Sequence, residues 1–154
     1  MRKAYVELTL SYRLLQYRVN SMKNRIKRLF KHYPLTLICL ALVWYLSLFI
    51  IVPKTRLNDV PFIDKWTHFV MYGGTCTVMW IEYLRCHDRL HFWKLFLLAW
   101  LGPILMSGLL ELMQKYCTTN RSGEWLDFLA NSTGVTLAVG MGLLIWKLKM
   151  LRKQ

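Results

Sequence analysis

Asp64 and His68 are four residues apart, Glu111 and Gln114 three apart, and Asp127 and Asn131 four apart. On a helix each spacing puts both side chains on one face, with His68 about 6 Å further along the axis than Asp64. An imidazole beside a carboxylate suits general acid–base chemistry, the acid orienting the ring. Asp64, His68 and Glu111 are therefore the catalytic candidates. Lys65, Lys115 and Arg121 stand nearby in sequence, and a guanidinium can grip a carboxylate or a phosphate through two parallel N–H bonds. A helix starting after Arg121-Ser122-Gly123 would add free N–H groups for an anion. The same groups equally suit a closed salt-bridge network that pins helices together, and spacing does not choose between the two. Paired acids with a histidine could also hold a divalent metal, but no tight ligand spacing supports one, so neither metal nor cofactor is expected. No nucleophile has a recognisable setting, Ser107-Gly108 included.

These groups must be carried by apolar elements. The chain has 154 residues, of which 55% are apolar and 19% charged, with a net charge of +13 and a mean hydropathy of +0.28. Seven Trp and seven Phe exclude a disordered chain, and four scattered Cys exclude a disulfide miniprotein. Residues 34–52 carry no charge, long enough to cross about 30 Å of hydrocarbon. Runs at 66–84, 95–113 and 125–146 follow, each broken only by one or two of the polar groups above or by Glu82. The expected fold is all-α, an integral membrane four-helix bundle preceded by a basic amphipathic helix, with membrane lipids as its surroundings. Sorting the loops alternately puts 16 Lys and Arg on one side and 5 on the other. The positive-inside rule then makes both termini cytoplasmic. With the acids included, the inner side carries +13 and the outer side zero. The basic surplus is thus a topology signal, and nucleic acid is not an expected partner. The first run lacks a small-residue cleavage pattern at Phe49–Lys54 and reads as an uncleaved anchor. In this topology all three polar pairs fall in the outer quarter of the bilayer.

Three organisational features accompany the spans. Residues 1–32 form a separate element, in which Leu8, Tyr12, Leu15, Val19, Met22, Ile26, Leu29 and Tyr33 recur at spacings of four and three among basic residues. That stripe suits a helix on the inner leaflet surface with snorkelling bases, or a coiled-coil arm. Residues 33–147 form the transmembrane domain and 148–154 a basic cytoplasmic tail. In the last span Ala130, Gly134, Ala138 and Gly142 repeat every four residues, a pattern that packs helices closely, either inside the bundle or in a homodimer. Pro103 after Gly102 should kink the third span. The Asp-x-x-x-polar openings of the second and fourth spans also echo each other, as two hairpins related by an axis along the membrane normal would.

Asp64-Lys65-x-x-His68-x-x-x-Tyr72, then Glu111-x-x-Gln114, then Arg121-x5-Asp127-x3-Asn131-x-x-Gly134 resembles the VanZ-like family of small bacterial membrane proteins. The similarity runs from about Asp59 to Gly142, and the basic N-terminal element is outside it. The resemblance implies four transmembrane helices in the bacterial cytoplasmic membrane and a link to resistance against the glycopeptide teicoplanin. It also adds Tyr72 to a binding set of Asp64, Lys65, His68, Glu111, Gln114, Arg121, Asp127 and Asn131. Two functions follow as expectations. One is a non-enzymatic envelope protein whose outer polar site binds a lipid-linked or glycopeptide-like ligand, or a partner. The other is a hydrolase or transferase acting on a lipid-linked head group, with His68 as acid or base. A carrier ranks last, since the mid-bilayer region near Cys76 and Val139 holds no charge.

Overall fold

The computed structural model describes residues 2–49, 62–118 and 123–153. All secondary structure among the described residues is helical. The chain divides into two compact units, residues 1–34 and 35–154.

The first unit is one helix, α1 (Arg2–His32), closed by a bond from Tyr33 N–H to the Leu29 carbonyl. Lys31 and His32 occupy its last turn, where positive charge complements the helix dipole. Its apolar stripe, Tyr12, Leu15, Val19, Met22, Ile26 and Leu29, is exposed.

The second unit contains α2 (Pro34–Leu48), α3 (Ile63–Cys86), α4 (Phe92–Leu95), α5 (Gly102–Cys117) and α6 (Trp125–Leu151). A π-helical turn, Phe96–Leu101, joins α4 to α5, so that 92–117 is one continuous helix. The wide turn answers Pro103: the proline lacks an N–H and its ring crowds the carbonyl four residues back, and a wider turn moves that carbonyl away. Gly102 N–H accordingly reaches back five residues to the Leu97 carbonyl.

Phe92–Cys117 and Trp125–Leu151 are each long and apolar enough to cross a membrane, and Thr9–His32 taken together with Pro34–Leu48 would make a third. The distribution of polarity agrees. Among the described residues, as many buried side chains are polar or charged as are hydrophobic, ten of each, while Leu98, Leu105, Leu129 and Leu144 are exposed. An apolar exterior around a polar-rich interior is the arrangement that lipid selects. The chain is a membrane protein.

Contacts fix the directions of the helices. Gly73 of α3 meets Gly134 of α6, and Trp80 lies on Gly142 about two turns further along both helices, so α3 and α6 run parallel. A Cβ on Gly134 would come within 2.5 Å of the Phe69 carbonyl oxygen, and one on Gly142 within 2.2 Å of the Trp80 ring. The four-residue stripe therefore lies against α3 within the chain, with Gly134, Ala138 and Gly142 buried. Gly108 of α5 faces Phe128 of α6, and Trp100 Nε1 donates to Thr136 Oγ1, so this helix runs antiparallel to α6. α2 joins through side chains: Val43 enters the core with Tyr72, Cys76, Leu110, Val135 and Ala138, and Trp44 Nε1 donates to Met106 Sδ.

Glu82, read from sequence only as an interruption of an apolar run, has a definite role. Its carboxylate accepts from Leu35 N–H at 2.9 Å, Thr36 N–H at 3.0 Å and Thr36 Oγ1 at 2.6 Å. It caps the first turn of α2 from a neighbouring helix, satisfying backbone donors that the helix itself leaves free. At the same end Lys149 and Lys153 of the α6 terminus hold Asp88 at 2.9 and 2.8 Å, and Lys149 also donates to the Leu84 carbonyl. α6 runs to Leu151, so residues 148–151 of the expected basic tail are helical, and Lys149 and Lys153 both hold Asp88.

Two outcomes are expected. Gly134→Ala forces α3 and α6 apart and lowers stability by about 1–3 kcal/mol in detergent unfolding, whereas Gly140→Ala, which meets nothing within 4 Å, leaves it unchanged or slightly raised. Hydrogen bonds from Lys153 and Lys149 lower the Asp88 pKa to about 2. A lowered folded-state value means stability present above about pH 4 and lost as pH falls towards 2, so Asp88→Asn should flatten the melting profile within that window alone.

Candidate functional site

The parallel pairing of α3 and α6 puts two helix N-termini side by side, each with an aspartate in its first turn, Asp64 and Asp127. The positive end of a helix dipole favours a carboxylate there. α5, running the other way, brings Glu111 to the same level. His68, one turn into α3, sits among all three. Its Nε2 is 3.8 Å from Asp64 Oδ1 and 3.9 Å from Asp127 Oδ2, and its Nδ1 is 3.9 Å from Glu111 Oε1. His68 is 7% exposed, and Nδ1 has no hydrogen-bond partner. These separations exceed hydrogen-bonding distance.

A tighter set of contacts surrounds this open one. Lys65 Nζ lies 2.6 Å from Glu124 Oε2, 2.9 Å from Asp127 Oδ1 and 3.5 Å from Asp64 Oδ2. Glu124 N–H donates to Glu111 Oε2 at 3.2 Å. Asn131 Nδ2 donates to Ser107 Oγ at 2.8 Å and approaches Glu111 Oε1 at 3.5 Å. Gly123 lies so close to the Glu111 carbonyl that a Cβ would fall 2.1 Å from its oxygen, so only glycine lets the loop enter α6 here. Entry to α3 is also tight: Phe62 holds φ 60°, a left-handed conformation that costs a non-glycine residue about 1–2 kcal/mol.

Of the residues expected from sequence, Asp64, Lys65, His68, Glu111, Asp127 and Asn131 come together. Gln114 turns to α2, where Nε2 donates to the Ser47 carbonyl at 2.9 Å. Tyr72 is buried in the core, with its hydroxyl against Ser107. Arg121 lies outside the described residues. Glu124 and Ser107 are additions. Glu124 stands three residues before Asp127 and was legible as a loop acid near that pair. Ser107 stands four before Glu111, the spacing of a shared helix face. It is fully buried, and its Oγ accepts from Asn131. Asp64, His68 and Asp127 offer three donor atoms that all lie within 4.8 Å of one another. His87 and His91, at the far end of α3, join no such group among the described residues. Tyr83 stacks on the His87 ring, and its hydroxyl pairs with His91 and the Arg89 carbonyl.

Beside the cluster an apolar groove of about 550 Å³ runs between α5 and the start of α6, floored by Gly108 and Phe128 and walled by Leu105, Leu109, Leu112 and Trp125. Its polar lining is Glu111, Lys115 and Glu124. The groove thus sets apolar walls beside two carboxylates and one lysine.

A double-mutant cycle should separate attraction from packing. Lys65→Met leaves the buried Asp127 carboxylate without its cation and lowers the unfolding midpoint. On an Asp127→Asn background the same change costs much less, giving a coupling energy of about 1–3 kcal/mol by denaturant unfolding in detergent.

No family model, no curated protein and no solved structure matches the chain.

Proposed function

We propose that the chain is a VanZ-like protein of the bacterial cytoplasmic membrane. Its outer polar site binds a lipid-linked or glycopeptide-like ligand and so contributes to teicoplanin resistance. In this reading α2, α3, 92–117 and α6 are the four spans of a bundle, α1 lies on the inner leaflet, and both termini are cytoplasmic. The distribution of Lys and Arg supports the orientation, 16 against 5. The carrying observation is the groove beside the cluster: an apolar wall about the length of several leucines, ending at Glu111, Lys115 and Glu124. A lipid chain enters such a groove from the bilayer, while its head group meets fixed charges of both signs. A homodimer is compatible only through another face, since the small-residue stripe packs on α3.

A second reading is a hydrolase or transferase acting on the same head group. The approach of His68 Nδ1 to the Glu111 carboxylate favours it, as an acid that orients a general base. With Ser107 bonded to Asn131 and buried, water or the acceptor substrate would be the attacking group.

Expression of the chain in a teicoplanin-susceptible host is expected to raise the inhibitory concentration. His68→Gln and Leu109→Trp, the latter filling the groove without touching the cluster, should both abolish the increase at unchanged membrane levels. Asp88→Asn at the opposite end should not. Retention of the effect by both site variants, or labelling of Cys117 solely from the cytoplasm, would overturn the reading. Head-group release from a lipid-linked substrate, lost in His68→Gln, would decide for the enzyme.

A further inference from the structure

We infer that Asp64, His68 and Asp127 bind one divalent cation of the Zn²⁺ or Mn²⁺ type, with Glu111 orienting the imidazole from its other side. The inference is independent of the lipid-ligand reading.

Geometry is the first ground. His68 Nε2 stands 3.8 Å from an Asp64 oxygen and 3.9 Å from an Asp127 oxygen, too far to bond either. Donors around a tetrahedral ion at about 2.0–2.1 Å lie roughly 3.3–3.4 Å apart. An ion in this gap would draw the imidazole and each carboxylate together by about half an ångström, and the two carboxylates, within 4.8 Å of one another, by up to about 1.4 Å. Asp64 can supply that movement, since its side chain is 58% exposed. One imidazole nitrogen with two carboxylate oxygens is a mixed donor set of intermediate hardness, which favours Zn²⁺ or Mn²⁺ over a softer ion.

The ring's second nitrogen is the independent ground. A ligating histidine commonly donates its other N–H to a carboxylate, which fixes the tautomer and directs the free nitrogen at the metal. His68 Nδ1 is buried without a hydrogen-bond partner and faces Glu111 Oε1 at 3.9 Å. Glu111 is itself held in place by Glu124 N–H and Asn131. A small rotation of the ring towards the ion would bring Nδ1–H onto this fixed carboxylate.

Charge is the third ground. Asp64, Glu111, Glu124 and Asp127 are four carboxylates in one layer. Among the described residues, Lys65 is the lysine or arginine within 4 Å of any of them. The two helix N-termini add about half a positive charge each. Among the described residues the carboxylates outnumber the cations that pair with them, and a divalent cation adds positive charge where an unpaired buried carboxylate is costly.

The test uses the full chain, without a histidine tag, in detergent. It is stripped with EDTA and titrated with ZnCl₂ or MnCl₂ alone. One equivalent of at least one metal should stay bound after desalting and raise the unfolding temperature. His68→Gln and Asp64→Asn should each weaken binding at least tenfold. Glu111→Gln should weaken it by about tenfold while keeping the stoichiometry, and a His87→Ala, His91→Ala double variant should bind normally. Asp64→Asn decides the matter if His68→Gln fails to fold. No stoichiometric ion with either metal, or binding unchanged in Asp64→Asn, overturns the inference. No lipid ligand is present, so failure here leaves the head-group reading intact, and loss of the resistance effect leaves this one intact.

Discussion

A polar group in hydrocarbon has no water to fall back on, so each must find its partner inside the protein. That requirement organises both ends of this bundle. At one end Glu82 meets the free amides of the first turn of α2, and Asp88 meets two lysines of α6. At the other, Lys65 joins α3 to Glu124 and Asp127 of α6, and Asn131 joins α6 to α5 through Ser107. Dispersion packing along the apolar middle holds the helices together but is nearly indifferent to sliding. The polar contacts at both ends are not, and they fix the axial register.

Register also depends on the close approach of α3 and α6. Gly73 and Gly134 let the two backbones touch, and Trp80 fills the space above Gly142. Those contacts lie between the two polar ends, so they work like a pivot. Shifting α6 by one turn would move Asp127 about 5 Å from Lys65, while pushing a Cβ-bearing residue onto the Phe69 carbonyl. Backbone packing and ion pairing therefore specify the same arrangement, the consistency that gives a sequence one structure.

The helices were legible in the sequence because apolar runs interrupted by few charges have one reading in so short a chain. So was the convergence of Asp64, His68, Glu111, Asp127 and Asn131, since i,i+3 and i,i+4 spacing at corresponding helix ends already implies a common layer. What spacing does not reveal is the rotation of each helix about its axis. Gln114 shares a face with Glu111 yet bonds the Ser47 carbonyl of α2, because the α5 face is wide enough to serve two neighbours. Glu82 was invisible as a cap, since its partners lie 46 and 47 residues away. The effect of Pro103 was anticipated as a kink. The chain absorbs it as a π-helical turn over Phe96–Leu101, which moves the carbonyl four residues back away from the proline ring.

Distance separates the structural part of the polar cluster from the part that is free to act. The contacts of Lys65 with Glu124 and Asp127, and of Asn131 with Ser107, fall between 2.6 and 2.9 Å. They are short ion pairs and a hydrogen bond between helices, and their work is to hold helices. The three contacts of His68 lie at 3.8–3.9 Å, and both ring nitrogens stop short of their neighbours. A buried imidazole nitrogen without a partner costs about 1–3 kcal/mol, and His68 Nδ1 is one of several such atoms, with Trp80 Nε1 and Asn131 Oδ1. The short Lys65 contact holds Asp127 in place, longer ones position Glu111, and the exposed Asp64 keeps freedom to adjust. A rigid frame around an unsatisfied donor is what binding a further group requires.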